Sequence, residues 1–387
     1  MLRAAFLFVA RALSTREYDS WMNTIRDWIG LSMASGLGPA GFWHLVNSFG
    51  SPTSVLDLGY KDISQVSGLR EAQLKGVRET GKLREAASYE LEKLSCSAGQ
   101  AVILDDPCYP ELLRKCVNPP PVLYIKGKKE CLNTIAVAIV GSRAATSYGR
   151  RTAFRLGRDL ATSRITVVSG LAAGVDAEAH AGCLDGLGET IGVLGCGLDV
   201  VYPRTNKNLY GKVAECGALV TEYCLGTKPE GFRFPARNRI IAGLCYGVVV
   251  VEAAKKSGSL ITVQHALDEG RDVFAVPGQV DSAKSNGTHW LLQQGASLVV
   301  SAADIVDSLG LDNSGPAGGV ESQEAEVQLD PETGDLFALI DHYPKQRNEL
   351  IERSGIPPAK ISEHILLLEL EGLIEILPGD QIRRISR

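Results

Sequence analysis

Residues 136–143 read AVAIVGSR and residues 166–176 read TVVSGLAAGVD. Each is a short apolar run that ends in glycine and small residues and gives way to a helical pattern. A strand with one wet face alternates apolar and polar side chains. A strand without alternation is covered on both faces, as in parallel sheets. Seven further runs of this kind follow the same rhythm: Val102–Leu104, Val122–Ile125, Thr190–Leu194, Ala218–Thr221, Gly247–Val251, Val273–Val276 and Ser297–Val300. Their alternation with amphipathic helices predicts an α/β fold, an extended, doubly wound parallel sheet of Rossmann type over 99–310.

The flanks have a different texture. In 1–98, Trp21, Ile25, Trp28 and Ile29 recur at helical spacing. A turn at Ser35-Gly36-Leu37-Gly38-Pro39 precedes a helix over 40–49, and a turn at Val66-Ser67-Gly68-Leu69 precedes another. Two helix–glycine turn–helix units predict a helical domain of SAM or helix-hairpin-helix type. Such turns can offer N–H groups to a phosphate, or their glycines serve packing alone. Residues 36–41 spell G-x-G-x-x-G, but no strand precedes them, so the dinucleotide reading lacks its context. Residues 311–334, rich in Gly, Asp and Glu with no Lys or Arg, predict an acidic solvated linker repelled by polyanions. Residues 335–387 predict helices over 336–342, 347–353 and 358–371. A hairpin of Ile374–Leu377 and Gln381–Ile385 follows, completing a winged helix. In many such domains the third helix enters the major groove. Here it sets Lys360 against Glu363, Glu369 and Glu371, which favours protein contact or packing over phosphates.

Composition narrows the function. The 387 residues carry 40 Lys and Arg against 45 Asp and Glu, a net charge of −5. A uniformly basic nucleic-acid coat is excluded, and a local basic groove is not. Hydrophobic residues at 45% and charged residues at 22% exclude wholesale disorder. The nine cysteines are scattered without a C-x-x-C, which argues against a metal or cluster site and for reduced thiols in the cytoplasm. No apolar run is long enough for a membrane helix. Met1–Ala12 faintly resembles a signal peptide, but Arg11 stops its short apolar run, so it reads as an extended N-terminus. No cofactor is expected: Gly195 and Gly197 lack the third glycine of the dinucleotide fingerprint.

In an open α/β sheet, ligands bind beyond the carboxyl ends of the strands. Three predicted exits carry small residues: Gly141-Ser142-Arg143, Ser169-Gly170 through Gly174, and Gly195-Cys196-Gly197. Backbone N–H groups there can approach an anion, although glycine at such turns is common in this fold. The strongest segment is 227–244, TKPEGFRFPARNRIIAGL. Pro235 suits a first helical turn. Arg237 and Arg239 then fall near the positive end of the helix dipole, which makes sense if an anion sits between them. Lys228 and Arg233 add charge, and Phe232 and Phe234 add faces for base stacking, worth about 1–3 kcal/mol per base. The alternative pairs the arginines with Glu222 or Glu252. Asp176 and His180, one helical turn apart, make no triad. Arg151, Arg155 and Arg158 share a helical face, either solvated or continuing the groove.

These motifs resemble the DprA/Smf family, DNA-processing protein A. The resemblance rests on Val140-Gly141-Ser142-Arg143, on Ser169-Gly170 through Gly174-Val175-Asp176, and on Phe234-Pro235-Ala236-Arg237-Asn238-Arg239 through Gly243. Glu252-Ala253, Ser257-Gly258-Ser259-Leu260, Ala275-Val276-Pro277-Gly278 and Gly287-Thr288-His289-Trp290 continue in the same order. The likeness covers most of 20–310, and the C-terminal unit is similar to the family's winged helix. It implies a non-catalytic protein that binds single-stranded DNA, helps load RecA recombinase in natural transformation and recombination, and forms a homodimer through its Rossmann domain. Arg143, Ser169, Gly170, Lys228, Arg237 and Arg239 would hold phosphates and Phe234 would stack on a base. Gly141, Ser142, Gly174, Phe232 and Asn238 would complete the DNA site. The alternative is a Rossmann-type nucleotide or phosphoribosyl hydrolase of the lysine-decarboxylase-like class. Its P-G-G-x-G-T-x-x-E string is not matched at Gly247–Glu252.

Overall fold

The computed structural model describes residues 15–66, 68–311, 330–341, 344–377 and 379–384. They fall within two compact units, Met1–Asn313 and Ser314–Arg387. Met1–Ala12 and most of the expected linker lie outside the described residues.

All nine apolar runs form strands of one sheet: β1 Gln100–Ile103, β2 Val122–Gly127, β3 Ala136–Val140, β4 Thr166–Ser169, β5 Thr190–Val193, β6 Ala218–Thr221, β7 Gly247–Val250, β8 Asp272–Ala275 and β9 Ser297–Leu298. Their order is β1-β2-β6-β5-β4-β3-β7-β8-β9. From β6 to β9 neighbouring strands are parallel. β2 is antiparallel to β6, and β1 to β2, which corrects the expectation of a parallel sheet throughout. A parallel return needs a long crossover, usually a helix. Between β1 and β2 the chain offers only the short helix Glu111–Arg114.

Burial explains the missing alternation. Val137 and Ile139 of β3 pack on one side with Val249 of β7. Ala138 and Val140 pack on the other with Val248 and Val250. Every second residue therefore needs an apolar side chain for its own layer of helices.

The helices Thr15–Ser32, Gly38–Phe49, Pro52–Asp57, Tyr60–Ile63, Glu71–Gly76 and Thr80–Cys96 precede the sheet. Ile25, Trp28 and Phe42 share a core with Ile103 of β1, Tyr124 of β2 and Leu219 of β6. The Trp43 indole donates to the Pro119 carbonyl at 2.7 Å, and the Leu225 amide donates to the buried Glu90 carboxylate at 2.6 Å. The first glycine turn is a packing device: Gly36 and Gly38 have φ of 73° and 62°, and a Cβ on Gly76 would stand 2.1 Å from the Ser35 oxygen.

The second unit contains helices Pro331–Leu339, Arg347–Ser354 and Pro358–Leu370, with strands β10 Lys345–Gln346, β11 Ile374–Leu377 and β12 Gln381–Arg384 in the order β10-β12-β11. Its first helix starts inside the expected linker. The Asp330 side chain caps it by accepting the Thr333 amide at 3.0 Å, and proline follows the cap. Leu336, Ile340, Leu350, Ile361, Ile365, Leu368, Ile374 and Ile382 form the core.

Candidate nucleic-acid interface

β3 is flanked by β4 on one side and β7 on the other. The chain thus changes direction along the sheet beside β3, and the crevice at such a switch point is where ligands bind. A cleft of 380 Å³ lies there. Gly141 and Arg143 come from the β3 exit, Ala172 and Asp176 from β4, and Tyr202 from the chain after β5. Phe234, Pro235, Arg237 and Asn238 come from the helix Arg233–Gly243, and Ser257, Gly258 and Ser259 from the β7 exit.

An aromatic and cationic stack forms one wall. The Arg143 guanidinium lies 5.2 Å from the Phe234 ring centre, and Tyr202 lies 5.3 Å from the same ring at 31°. Gly195 makes room for it, because a Cβ there would meet Phe234 Cδ1 at 2.9 Å. Arg143 is exposed and Tyr202 is 40% exposed, so both reach solvent. Phe232 is 68% exposed, with the Arg233 guanidinium 5.0 Å above its ring. Lys228 is exposed on the approach to the cleft, and Lys255 and Lys256 are exposed just before Ser257.

The floor is a buried polar network. Arg237 is 4% exposed and donates to the Gly170 carbonyl at 3.0 Å, to the Val193 carbonyl, and to Asn238 Oδ1 at 3.2 Å. The Gly170 amide donates to Asp176 Oδ2 at 3.2 Å. Burial pushes the Asp176 carboxyl up, while Arg237 and Arg143 hold it back. Burial works against the Arg237 cation too, opposed by Asp176. Guanidinium stays charged all the same. His180 is buried beneath, its Nδ1 2.7 Å from the Thr190 hydroxyl. Burial, reinforced by Arg237, pushes it down to about 3.

The anion between two arginines is corrected. The helix begins at Arg233, two residues earlier than the proline suggested, so Arg237 and Arg239 lie in its second turn. Residues two apart do not share a helical face. Arg239 turns away from the cleft, pairs with Glu222 and donates to the Asn118 carbonyl at 3.1 Å. Burial pushes the Glu222 carboxyl up, and Arg239 counters it. Glu252 instead accepts from the Thr146 amide at 2.9 Å and hydroxyl.

The glycine exits are corrected in part. Ser169 is wholly buried and its hydroxyl donates to the Ile139 carbonyl at 2.6 Å. The Gly170 amide is committed to Asp176, and the Ser142 amide to the Glu252 carbonyl at 2.8 Å. Gly174, at φ 83°, would place a Cβ 2.3 Å from the Ser142 oxygen, and Gly141 would place one 2.8 Å from Val175 Cγ2. These glycines let the β3 and β4 exits pack on each other, and of the five residues only Gly141 lines the cleft.

Arg155 donates to the Val300 carbonyl and Arg158 bonds Asp159; neither they nor Arg151 line the cleft. Sequence reasoning missed Tyr202, which no local motif marks. It also passed over Lys255 and Lys256, whose signal was a lysine pair beside Ser257-Gly258-Ser259 at a strand exit. Among the described residues no group of His, Cys, Asp and Glu is placed to hold a metal ion.

Comparison with known proteins matches two family models: DNA recombination-mediator protein A over residues 100–310 and the DprA winged helix domain over 320–380. Protein Smf of Synechocystis is 33% identical over 395 residues, covering 92% of this chain and 98% of that protein. DNA processing protein DprA of Streptococcus pneumoniae is 42% identical over 63% of this chain and 85% of its own. Its X-ray structure matches with a TM-score of 0.64 at 36% identity, covering 73% of this chain and 97% of that one. A structure of DNA processing protein A from Helicobacter pylori, described for its single-stranded DNA binding mode, matches with a TM-score of 0.50 at 31% identity, over 54% and 95% of the two chains.

Proposed function

The chain belongs to the DNA recombination-mediator protein A family, and from that premise we propose that it binds single-stranded DNA without sequence preference and helps load RecA recombinase onto it during DNA uptake and recombination. The carrying observation is the Arg143–Phe234–Tyr202 stack on an open cleft with Lys228, Lys255 and Lys256 exposed near its mouth. Cations follow phosphates and ring faces take bases of any identity. Arg143 and Lys228 hold phosphates, Asn238 offers its amide, and Phe232 and Phe234 receive bases. Arg237 acts from below by fixing the two strand exits, and Arg239 by anchoring the helix to Glu222.

The role is non-catalytic: the hydrolase alternative needs an available glutamate, and Glu252 is buried and spent on Thr146. A homodimer through the Rossmann unit fits the apolar surface around edge strand β9, where Leu298 is 55%, Val300 52% and Trp290 46% exposed. Action in the cytoplasm fits the family. Among the described residues no helix is long and apolar enough to cross a membrane.

Fluorescence anisotropy with single- and double-stranded oligonucleotides across a salt series tests the reading. If about four phosphates are neutralised, single-strand affinity falls about fifty-fold between 50 and 200 mM salt. Arg143→Ala weakens binding about tenfold for every sequence and flattens the slope by about 0.7. Identical curves for variant and wild type, or equal affinity for duplex, would overturn the assignment. Strand-exchange assays with RecA test the loading step.

A further inference from the structure

The helix Pro358–Leu370 occupies the place from which many winged helices read DNA. Its inward residues Ile361, Ile365 and Leu368 complete the core of the unit. Its outward face nevertheless carries Leu366, Leu367 and Leu370, which are 55%, 45% and 75% exposed. Leu370 follows Leu366 by four positions and Leu367 by three, so the three side chains adjoin on one surface. Together they present roughly 300 Å² of apolar area, comparable to the largest patch on a typical monomer, which is often functional. That is well short of the about 800 Å² per partner in a stable domain–domain interface.

The charges around the leucines are acidic. Glu363 precedes Leu366 by three positions, and Glu369 borders Leu370. The one lysine of the helix, Lys360, pairs with Glu332 at 3.1 Å. Other cations of the unit are likewise engaged: Arg347 with Asp380, Arg353 with Glu349, and Arg383 with Glu375. Residues 330–387 hold eleven Asp and Glu against seven Lys and Arg. A phosphate backbone would be repelled, and a second copy would set glutamates against glutamates. The area suits one helix and the rim suits positive charge.

We infer that the outer face of helix Pro358–Leu370 is a docking site for an amphipathic helix of a partner protein, with an apolar stripe flanked by Lys or Arg. The leucines supply the buried centre, and the glutamates set partner choice and association rate.

The probe is a fluorescein-labelled synthetic helix of about five turns, with a leucine stripe and a lysine rim, titrated against the full-length chain. A second peptide has the same stripe and a glutamate rim. The lysine-rimmed peptide binds at least about tenfold tighter, and Leu366→Ser/Leu370→Ser weakens it by about tenfold. Glu363→Lys/Glu369→Lys, which leaves the leucines in place, inverts the preference between peptides. Equal binding of the two peptides, or unaltered binding in both variants, overturns the inference. So does self-association in sedimentation velocity that Leu366→Ser/Leu370→Ser abolishes, or duplex DNA binding lost in the same variant.

Discussion

The cleft beside β3 and the outer face of helix Pro358–Leu370 are two exposed surfaces built on opposite rules. Three acids around the cleft are internal: Asp176 accepts from a backbone amide, Glu252 holds Thr146, and Glu222 takes Arg239, while exposed Glu230 pairs with Arg233. The cations Arg143, Lys228, Lys255 and Lys256 reach water. On the winged helix the arrangement inverts: cations are tied to carboxylates while the leucines, Glu363 and Glu369 face solvent. Net charge therefore carries little information about partners here. What decides is which charges each unit neutralises within itself, since only the remainder acts on a ligand.

The largest expected effect falls on the cleft floor. Arg237→Ala removes the donor to the Gly170 and Val193 carbonyls and leaves buried Asp176 without its strongest compensating charge. A loss of about 3–5 kcal/mol follows for breaking a buried charged network. Chemical denaturation of the full chain should show this as an early transition of the first unit with the winged-helix transition unmoved. A loss below about 1 kcal/mol would mean that the floor does not organise the cleft.

Acid tests the same floor. His180 titrates near 6.5 when unfolded and about 3 when folded. Below pH 6.5 the unfolded chain takes up a proton that the folded chain refuses, so stability falls as pH drops toward 3, by up to about 1.4 kcal/mol per unit. His180→Gln removes that slope. The difference between variant and wild type isolates His180 from Asp176, whose raised carboxyl acts in the opposite sense. Parallel stability–pH curves would refute a neutral buried imidazole.

Stacking comes next. Phe234→Ala should cost about 1–3 kcal/mol of single-strand affinity. Tyr202→Ala should cost less, because Arg143 still covers the Phe234 ring. Equal losses would make the two rings one platform, and a larger loss for Tyr202 would move the base onto its open face.

The sheet was legible because burial on both faces writes itself into each strand as unbroken Val and Ile. Direction was legible only where helices long enough for crossovers stand between strands, so β1 and β2 escaped. The cleft was half legible. Arg143 and Phe234 sit in local motifs, but whether an arginine faces solvent depends on helix phase, and the start at Arg233 turned Arg239 toward Glu222. Tyr202 gave no signal because its place against Phe234 is set by tertiary packing across two strand exits. Ser169 and Gly170 looked like ligand contacts since small residues suit both a close ligand and a close neighbouring loop, and sequence does not separate the two.

The smallest expected effect completes the comparison. Leu366→Ser/Leu370→Ser removes apolar surface that the core of the second unit does not use, so stability should change by no more than about 0.5 kcal/mol. The same pair contributes no cation and no ring face. Single-strand affinity, measured by anisotropy at the salt where Arg143→Ala loses tenfold, should therefore match wild type within error. If the double variant instead weakened single-strand binding by more than about threefold, the leucine face would belong to the DNA path. The division between a basic, aromatic cleft and an acidic, apolar helix face would then be a division of surface chemistry without a division of partners.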